Sequence, residues 1–364
     1  MKVAIIHYWL VNLRGGEKVL EALCELYPQA DIYTHVYNSE VFKDSVISQH
    51  SIKQSFISKL PRAKRWYQNY LPLMPLALEQ FNLSGYDLII SSESGPAKGI
   101  IPAPGQPHIC YCHSPMRYAW DMYHDYKSRC GWLKRKLMVL LLHYIRRWDQ
   151  LNSMSVSHFV ANSSFVAGRI KSFYHRDSTV IHPPVDFSEF EPTGIQPSDY
   201  YLMLGQLVPY KKTDIAVRAF NDSGKRLKIV GGGDQLKELR QLAHHNVEVL
   251  GHLDFEEIKS LLANCKALIF PGIEDFGIVP LEAMASGRPV IAYRKGGALE
   301  TVKEGVSGVF FDEQTECSLN QSIEYFESNF DLFSSDSIRA YVEKFSKENF
   351  KIQFSNYVNE VLNE

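Results

Sequence analysis

The chain lacks most of the short patterns that announce metal or nucleotide chemistry. No two aspartates stand two apart, so there is no Asp-x-Asp to hold a divalent ion on a nucleotide diphosphate. A His-Glu-x-x-His helix, a zinc pattern and a Walker loop are absent as well. The six cysteines are scattered and no two form a Cys-x-x-Cys. They read as reduced, core-packing thiols of a cytosolic protein, with Cys110 and Cys112 on one face of a strand and poorly placed to bridge each other. A formal net charge of −2 gives no overall pull toward nucleic acid. The longest apolar run beside a basic segment, Leu137–Leu142, is far short of the roughly 20 residues that cross a bilayer. MKVAIIHYWL reads as a strand rather than a signal peptide, because polar Asn12, Arg14 and Glu17 follow without a cleavage pattern.

What is present is material for two cores. The 364 residues, 45% apolar, suit two domains of about 150–200 residues each. Short apolar strands are expected at Lys2–Tyr8, Tyr86–Ser91, His108–Cys112, His158–Ala161 and Ser178–His182, with a helix over Gly16–Leu26. The Pro- and acid-rich passage from Pro183 to Asp199 reads as an interdomain linker. Strands then resume at Tyr201–Leu204, Leu227–Val230, Val247–Leu250, Ala267–Phe270 and Pro289–Tyr293, with helices starting near Asp214, Asp234, Asp254 and Pro280. Two strand–helix series imply two Rossmann-like domains with parallel sheets, whose ligands gather at the carboxyl ends of the strands. The last segment is a helix whose Phe350, Phe354, Val358 and Val361 form an apolar stripe in need of a surface.

Four stretches can carry chemistry. In HYWLVNLRGGEKV, Gly15 and Gly16 lie between a strand and a helix; they either admit a ligand phosphate at the helix start or serve a tight turn needing positive φ. In GQLVPYKKTD, Lys211 and Lys212 stand at a helix start, where a cation opposes the helix dipole. They are either an anion site or a solvated pair. GIEDFGIVPLEAMASG holds Glu274 and Glu282 with seven residues between them. PLEAMAS is expected as a short helix with Pro280 first, Glu282 in its first turn and Gly287 beyond its end. The two acids are either one ligand site or unrelated surface groups. In CYCHSPMRYAWD, His113 just past a strand end is either a cleft residue or an ordinary hydrogen-bonded loop histidine.

Taken in order, these stretches resemble a known family. EDFGIVPLE matches the E-x7-E signature of retaining glycosyltransferases of family 4 with the GT-B fold. GQLVPYKK is similar to that family's phosphate-binding element and RGGEKVLEAL to its N-terminal glycine loop. LPLMPLALE, CYCHSPMRYAWD, ANSSFVAGRI and HPPVD extend the resemblance toward the bacterial branch of WbaZ-like O-antigen mannosyltransferases. The resemblance implies an acceptor-binding domain over 1–185, a nucleotide-sugar donor domain over 186–345 facing it across a cleft, and a helix over 346–364 that crosses back to the first domain. It implies that Glu274 contacts the donor sugar, Glu282 the ribose, and that Lys211 neutralises the diphosphate. The amides around Phe276, Gly277 and Ile278 and the loop of Gly15 and Gly16 would assist, and His113 would orient the sugar. One departure stands out. Gln206 occupies the place of the family's phosphate-contacting arginine, and Lys212 follows the first lysine where the family has glycine, so the charge at that site is rearranged.

The activity so implied is transfer of a hexose, mannose from GDP-mannose, with retention and without a metal or other cofactor, in bacterial surface polysaccharide assembly. The implied acceptor is a lipid-diphosphate-linked glycan. KLPRAKRWYQNY (59–70) and GWLKRKLMVLLLHYIRRW (131–148) are basic, aromatic and apolar, a composition suited to peripheral contact with an anionic membrane from the cytoplasm. The leucines of the second stretch read equally well as core. Two further readings stay open: a nucleotide-sugar 2-epimerase of similar fold, and a non-catalytic nucleotide-sugar-binding subunit.

Overall fold

The computed structural model describes every residue except 94, 129, 130, 191, 193–196 and 364, together with the side chains of 93 and 134. Cys130 and part of the expected linker therefore lie outside the described residues. The chain forms two units, one of Met1–Pro184 with Glu348–Glu364, the other of Val185–Lys347.

The first unit is built on seven strands: β1 (Val3–His7), β2 (Asp31–Thr34), β3 (Ser51–Gln54), β4 (Leu88–Glu93), β5 (His108–Cys112), β6 (His158–Ala161) and β7 (Thr179–Val180). They pair in the order β3-β2-β1-β4-β5-β6-β7, all parallel. A parallel sheet covered on both faces asks for continuous apolar strands. VAIIH and HICYC meet that demand, with all five residues of each buried. β2 and β3 were not expected from the sequence. SIKQ is an edge strand with only Ile52 half-buried, too polar to stand out. Cys110 and Cys112 lie on one face of β5 and are both buried, as are Cys24 and Cys265, but Cys317 is exposed rather than core-packed.

The second unit carries β8 (Tyr201–Leu204), β9 (Leu227–Val230), β10 (Val247–Gly251), β11 (Leu268–Phe270), β12 (Val290–Tyr293) and β13 (Gly308–Phe311). Their order is β10-β9-β8-β11-β12-β13, again all parallel. The two sheets make the chain an α/β protein of two Rossmann-like domains. The passage from Pro183 is less of a free linker than its composition suggests, because Val185, Phe190 and Tyr200 are buried in the second core.

The last helix, Lys347–Asn363, returns to the first unit. Phe350, Phe354, Val358 and Val361 are buried in the cluster that includes Ile5, Leu20 and Tyr111. The ring of Phe350 lies 5.7 Å from that of Tyr111, edge-on. Lys351 adds an ion pair to Glu25 at 3.0 Å on the rim.

Candidate active site

In each sheet the strand order reverses direction at one point, between β1 and β4 in the first and between β8 and β11 in the second. Such switch points leave a crevice at the carboxyl ends of the strands. Both candidate clusters sit there.

In the second unit, β8 ends at Leu204 and leads through Gly205 to a 3-10 turn over Pro209–Lys211. Lys212, with φ of 56°, caps the helix Thr213–Ser223. β11 ends at Phe270 and leads to the loop of Gly272 and Glu274. The Lys211 ammonium and the Glu274 carboxylate form an ion pair across this point. Gly272 is what lets the two loops meet, since a Cβ there would stand 2.9 Å from Lys211 Cα. The loop is held from the far side by Gly297 N–H, which donates to the Glu274 carbonyl at 2.9 Å.

Gly277, with φ of 94°, then caps the helix Ile278–Ala285. That helix starts two residues earlier than expected, so Pro280 is its third residue and Glu282 lies in the second turn rather than the first. Proline is tolerated there because the first four amides of a helix have no partner within it. The same fact leaves the Ile278 and Val279 N–H groups without an intrahelical acceptor, an arrangement suited to phosphate. Phe276 is buried against Phe345, with ring centroids 5.8 Å apart. Glu282 is half-buried, Gln206 is exposed, and the Lys212 ammonium has no side-chain partner among the described residues.

In the first unit, the helix Gly15–Leu26 begins at the carboxyl end of β1. Neither Gly15 nor Gly16 has positive φ, so the tight-turn explanation fails. Close approach explains Gly16 instead. A Cβ there would lie 3.1 Å from the Tyr8 hydroxyl and 3.7 Å from His113 Nε2. His113 follows β5, its carbonyl accepting from Asn162 Nδ2 at 2.9 Å, and its Nε2 meets Ser92 Oγ at 2.9 Å. Burial, with His7 adding to it, pushes the His113 pKa down to about 3, so the ring is neutral at neutral pH. Glu17 accepts from Arg14 N–H at 2.9 Å and lies 3.4 Å from His7 Nε2.

The structure thus brings Lys211 together with Glu274, and Gly16 together with His113. It adds His7, Glu17 and Ser92, which the sequence reading passed over. No local pattern marks them: β1 and β4 flank the switch point, and only their pairing makes His7 and Ser92 register partners near the carboxyl ends.

Known proteins resemble this chain in sequence and in fold. The yeast Saccharomyces cerevisiae "Alpha-1,3/1,6-mannosyltransferase ALG2" is 30% identical over 257 residues, 54% of this chain and 48% of that protein. The "GDP-mannose-dependent alpha-(1-6)-phosphatidylinositol monomannoside mannosyltransferase" of Mycolicibacterium smegmatis is 32% identical over 193 residues, 44% and 50% of the two chains. The chain spans about half the length of the curated relatives it matches. Among solved structures, Anabaena HepE in complex with UDP and glucose has a TM-score of 0.71 at 17% identity, covering 98% of this chain and 99% of that one. Sucrose-phosphate synthase from Thermosynechococcus elongatus has a TM-score of 0.75 at 16% identity over 100% and 99% of the chains. These likenesses are in fold. Residues 13–189 match the family model Glycosyltransferase Family 4, and residues 185–339 match Glycosyl transferases group 1. Each half of the chain thus matches a glycosyltransferase family model.

Proposed function

We propose that this protein is a retaining mannosyltransferase of the WbaZ-like branch. In this reading it moves mannose from GDP-mannose to a lipid-diphosphate-linked glycan in bacterial surface polysaccharide assembly, at the cytoplasmic side of the membrane. The observation that carries the reading is the Lys211–Glu274 pair at the β8/β11 switch point, beside the start of the helix Ile278–Ala285. The names of the relatives support mannose as the sugar and GDP as the carrier.

The chemistry follows from the groups present. The bond from the anomeric carbon to the diphosphate oxygen breaks, a bond to an acceptor hydroxyl forms, and the acceptor proton leaves with the departing phosphate. Charge grows on the diphosphate as the sugar becomes oxocarbenium-like. Lys211 and the amides of Ile278 and Val279 stabilise that charge without reorganising, and no metal is required in this reading. Lys212 supplies the second cation that Gln206 does not. Glu274 bonds the hydroxyls of the sugar and Glu282 those of the ribose. In the first unit, Gly15 and Gly16 keep the helix start open, and the neutral His113 holds a hydroxyl of the sugar being moved.

The test is turnover by the purified full chain with a lipid-diphosphate-linked acceptor and a panel of nucleotide sugars. Transfer of mannose from GDP-mannose, unchanged in EDTA, is expected. Transfer from other donors alone removes the donor assignment, loss of activity in EDTA removes the metal-free one, and epimerised sugar without transfer replaces the reading altogether.

A further inference from the structure

The helix Trp132–Asn152 carries two apolar faces, and only one of them is used. Its inward face contributes Leu142, Ile145 and Trp148, all buried, to the core of the first unit, and Met138 and Leu141 pack beside them. Leu133, Leu137, Leu140, Tyr144 and Leu151 are exposed instead, at 72%, 67%, 72%, 51% and 67%. At 100° per residue these five fall within an arc of about 60°, a straight stripe along the helix. Lys136, His143 and Arg147 border it on the side away from the core, all exposed. From Gly131 to Trp148 the sequence holds no acidic residue, and the first acid, Asp149, is fully buried in an ion pair with Lys98. The other basic stretch, 59–70, differs: Leu60, Tyr67 and Tyr70 pack inward and leave chiefly Trp66 outside.

We infer that this stripe is the surface by which the protein lies on an anionic lipid bilayer. The helix would rest parallel to the membrane, with its leucines among the acyl chains and its basic edge at the phosphate level. No helix among the described residues is long and apolar enough to cross a membrane, so the contact is peripheral. Charge complementarity chooses this occupant. A second copy of the chain would set two acid-free basic edges against each other, whereas an anionic headgroup layer satisfies them. The inference stands apart from the sugar-transfer reading, and vesicle binding and turnover can fail separately.

The experiment is co-sedimentation of the full chain with vesicles of phosphatidylcholine alone and of phosphatidylcholine with phosphatidylglycerol. Binding to the anionic vesicles is expected, at least tenfold tighter than to neutral ones and weakened at 0.5 M salt, roughly where the Debye length falls below 5 Å. The triple variant Leu133→Ser, Leu137→Ser, Leu140→Ser should lose that binding at least tenfold while its thermal unfolding stays that of the parent. Lys136→Gln with Arg147→Gln should weaken it and flatten its salt dependence. Equal binding by the parent to both vesicle types, undiminished binding by the triple variant, or a parent dimer that the triple variant converts to monomer without any vesicle binding each overturns the inference.

Discussion

The Lys211 ammonium and the Glu274 carboxylate, 63 positions apart in the chain, hold one another at the carboxyl end of the second sheet. Both are largely shielded, their side chains 15% and 19% exposed. The cation proposed for a phosphate and the acid proposed for sugar hydroxyls thus neutralise each other. An anionic ligand beside Lys211 competes with the carboxylate and frees it to accept hydrogen bonds.

Lys211→Ala should therefore cut the rate of sugar transfer about 10²–10³-fold, the usual loss when one electrostatic contact to developing charge is removed. Its effect on thermal unfolding should be modest beside the loss of rate, since the Glu274 carboxylate left behind is shielded but not cut off from water. Single-turnover rates at saturating donor check it; a loss below tenfold would take Lys211 out of the leaving-group role.

Gly16→Ala tests the other cluster. The added methyl would stand 3.1 Å from the Tyr8 hydroxyl, tighter than most carbon contacts, and 3.7 Å from His113 Nε2. Turnover should fall while the fold persists. Tyr8→Phe in the same chain removes the crowding oxygen and should restore part of the rate. Failure of the double variant to recover, with an intact melting curve, would point to obstruction of the ligand rather than of Tyr8.

Acid should destabilise the protein well above the range where carboxylates titrate. Burial pushes His35 and His108 as well as His113 down to about 3. A histidine depressed in the native state binds its proton in the unfolded chain first. The stability contributed by each neutral ring is complete above about 6.5 and is lost as pH falls from there toward 3. Each such histidine contributes a slope of about 1.4 kcal/mol per pH unit within that window. Urea unfolding at pH 7.5, 6.5 and 5.5 should show midpoints that fall steadily below 6.5, and a flat series would contradict the burial of these rings.

The buried pair of Lys98 and Asp149 gives a sharper stability effect. Both side chains are fully buried, and Asp149 also accepts from Trp120 Nε1 at 2.8 Å and from the Tyr174 hydroxyl at 2.9 Å. Lys98→Met leaves the carboxylate without its cation, which costs about 3–5 kcal/mol in comparable pairs. Lys98→Met with Asp149→Leu should be less damaging than the sum of the two single changes, as chemical denaturation can establish.

The fold was legible in most strands buried on both faces, though not in β2, where Ile32, Tyr33 and Thr34 are all buried. YLML, LIF and VIAY announce themselves as unbroken apolar runs. β13 did not, because it begins on Gly308 and so reads as the end of a turn; the glycine is there because a Cβ would stand 2.0 Å from the Val290 carbonyl oxygen. In the helix Trp132–Asn152 apolar residues cover both the inward and the outward side, so helical spacing sets Leu140 opposite Leu142 without telling which of them is buried. At the candidate site, residue types and spacing marked Lys211 and Glu274 as interesting, but their contact depends on β8 lying beside β11, a long-range pairing that no local pattern contains. His7 and Ser92 were invisible for a similar reason, since each is only a polar residue near the end of its strand until β1 and β4 are set side by side.

The chain enters and leaves its second unit at almost the same place. Val185 N–H donates to the Phe345 carbonyl at 3.0 Å, and Val185 bridges Ser346. Since residues 348–364 complete the first unit, the second is in effect an insertion within it. On the ribosome this inverts the order of events. The domain synthesised first keeps Ile5, Leu20 and Tyr111 without their final cover until Phe350, Phe354 and Val358 have emerged, so it is the last to close. During those seconds the inserted domain, contiguous in sequence, can already be folded, and the earlier one is the stretch a chaperone has reason to hold.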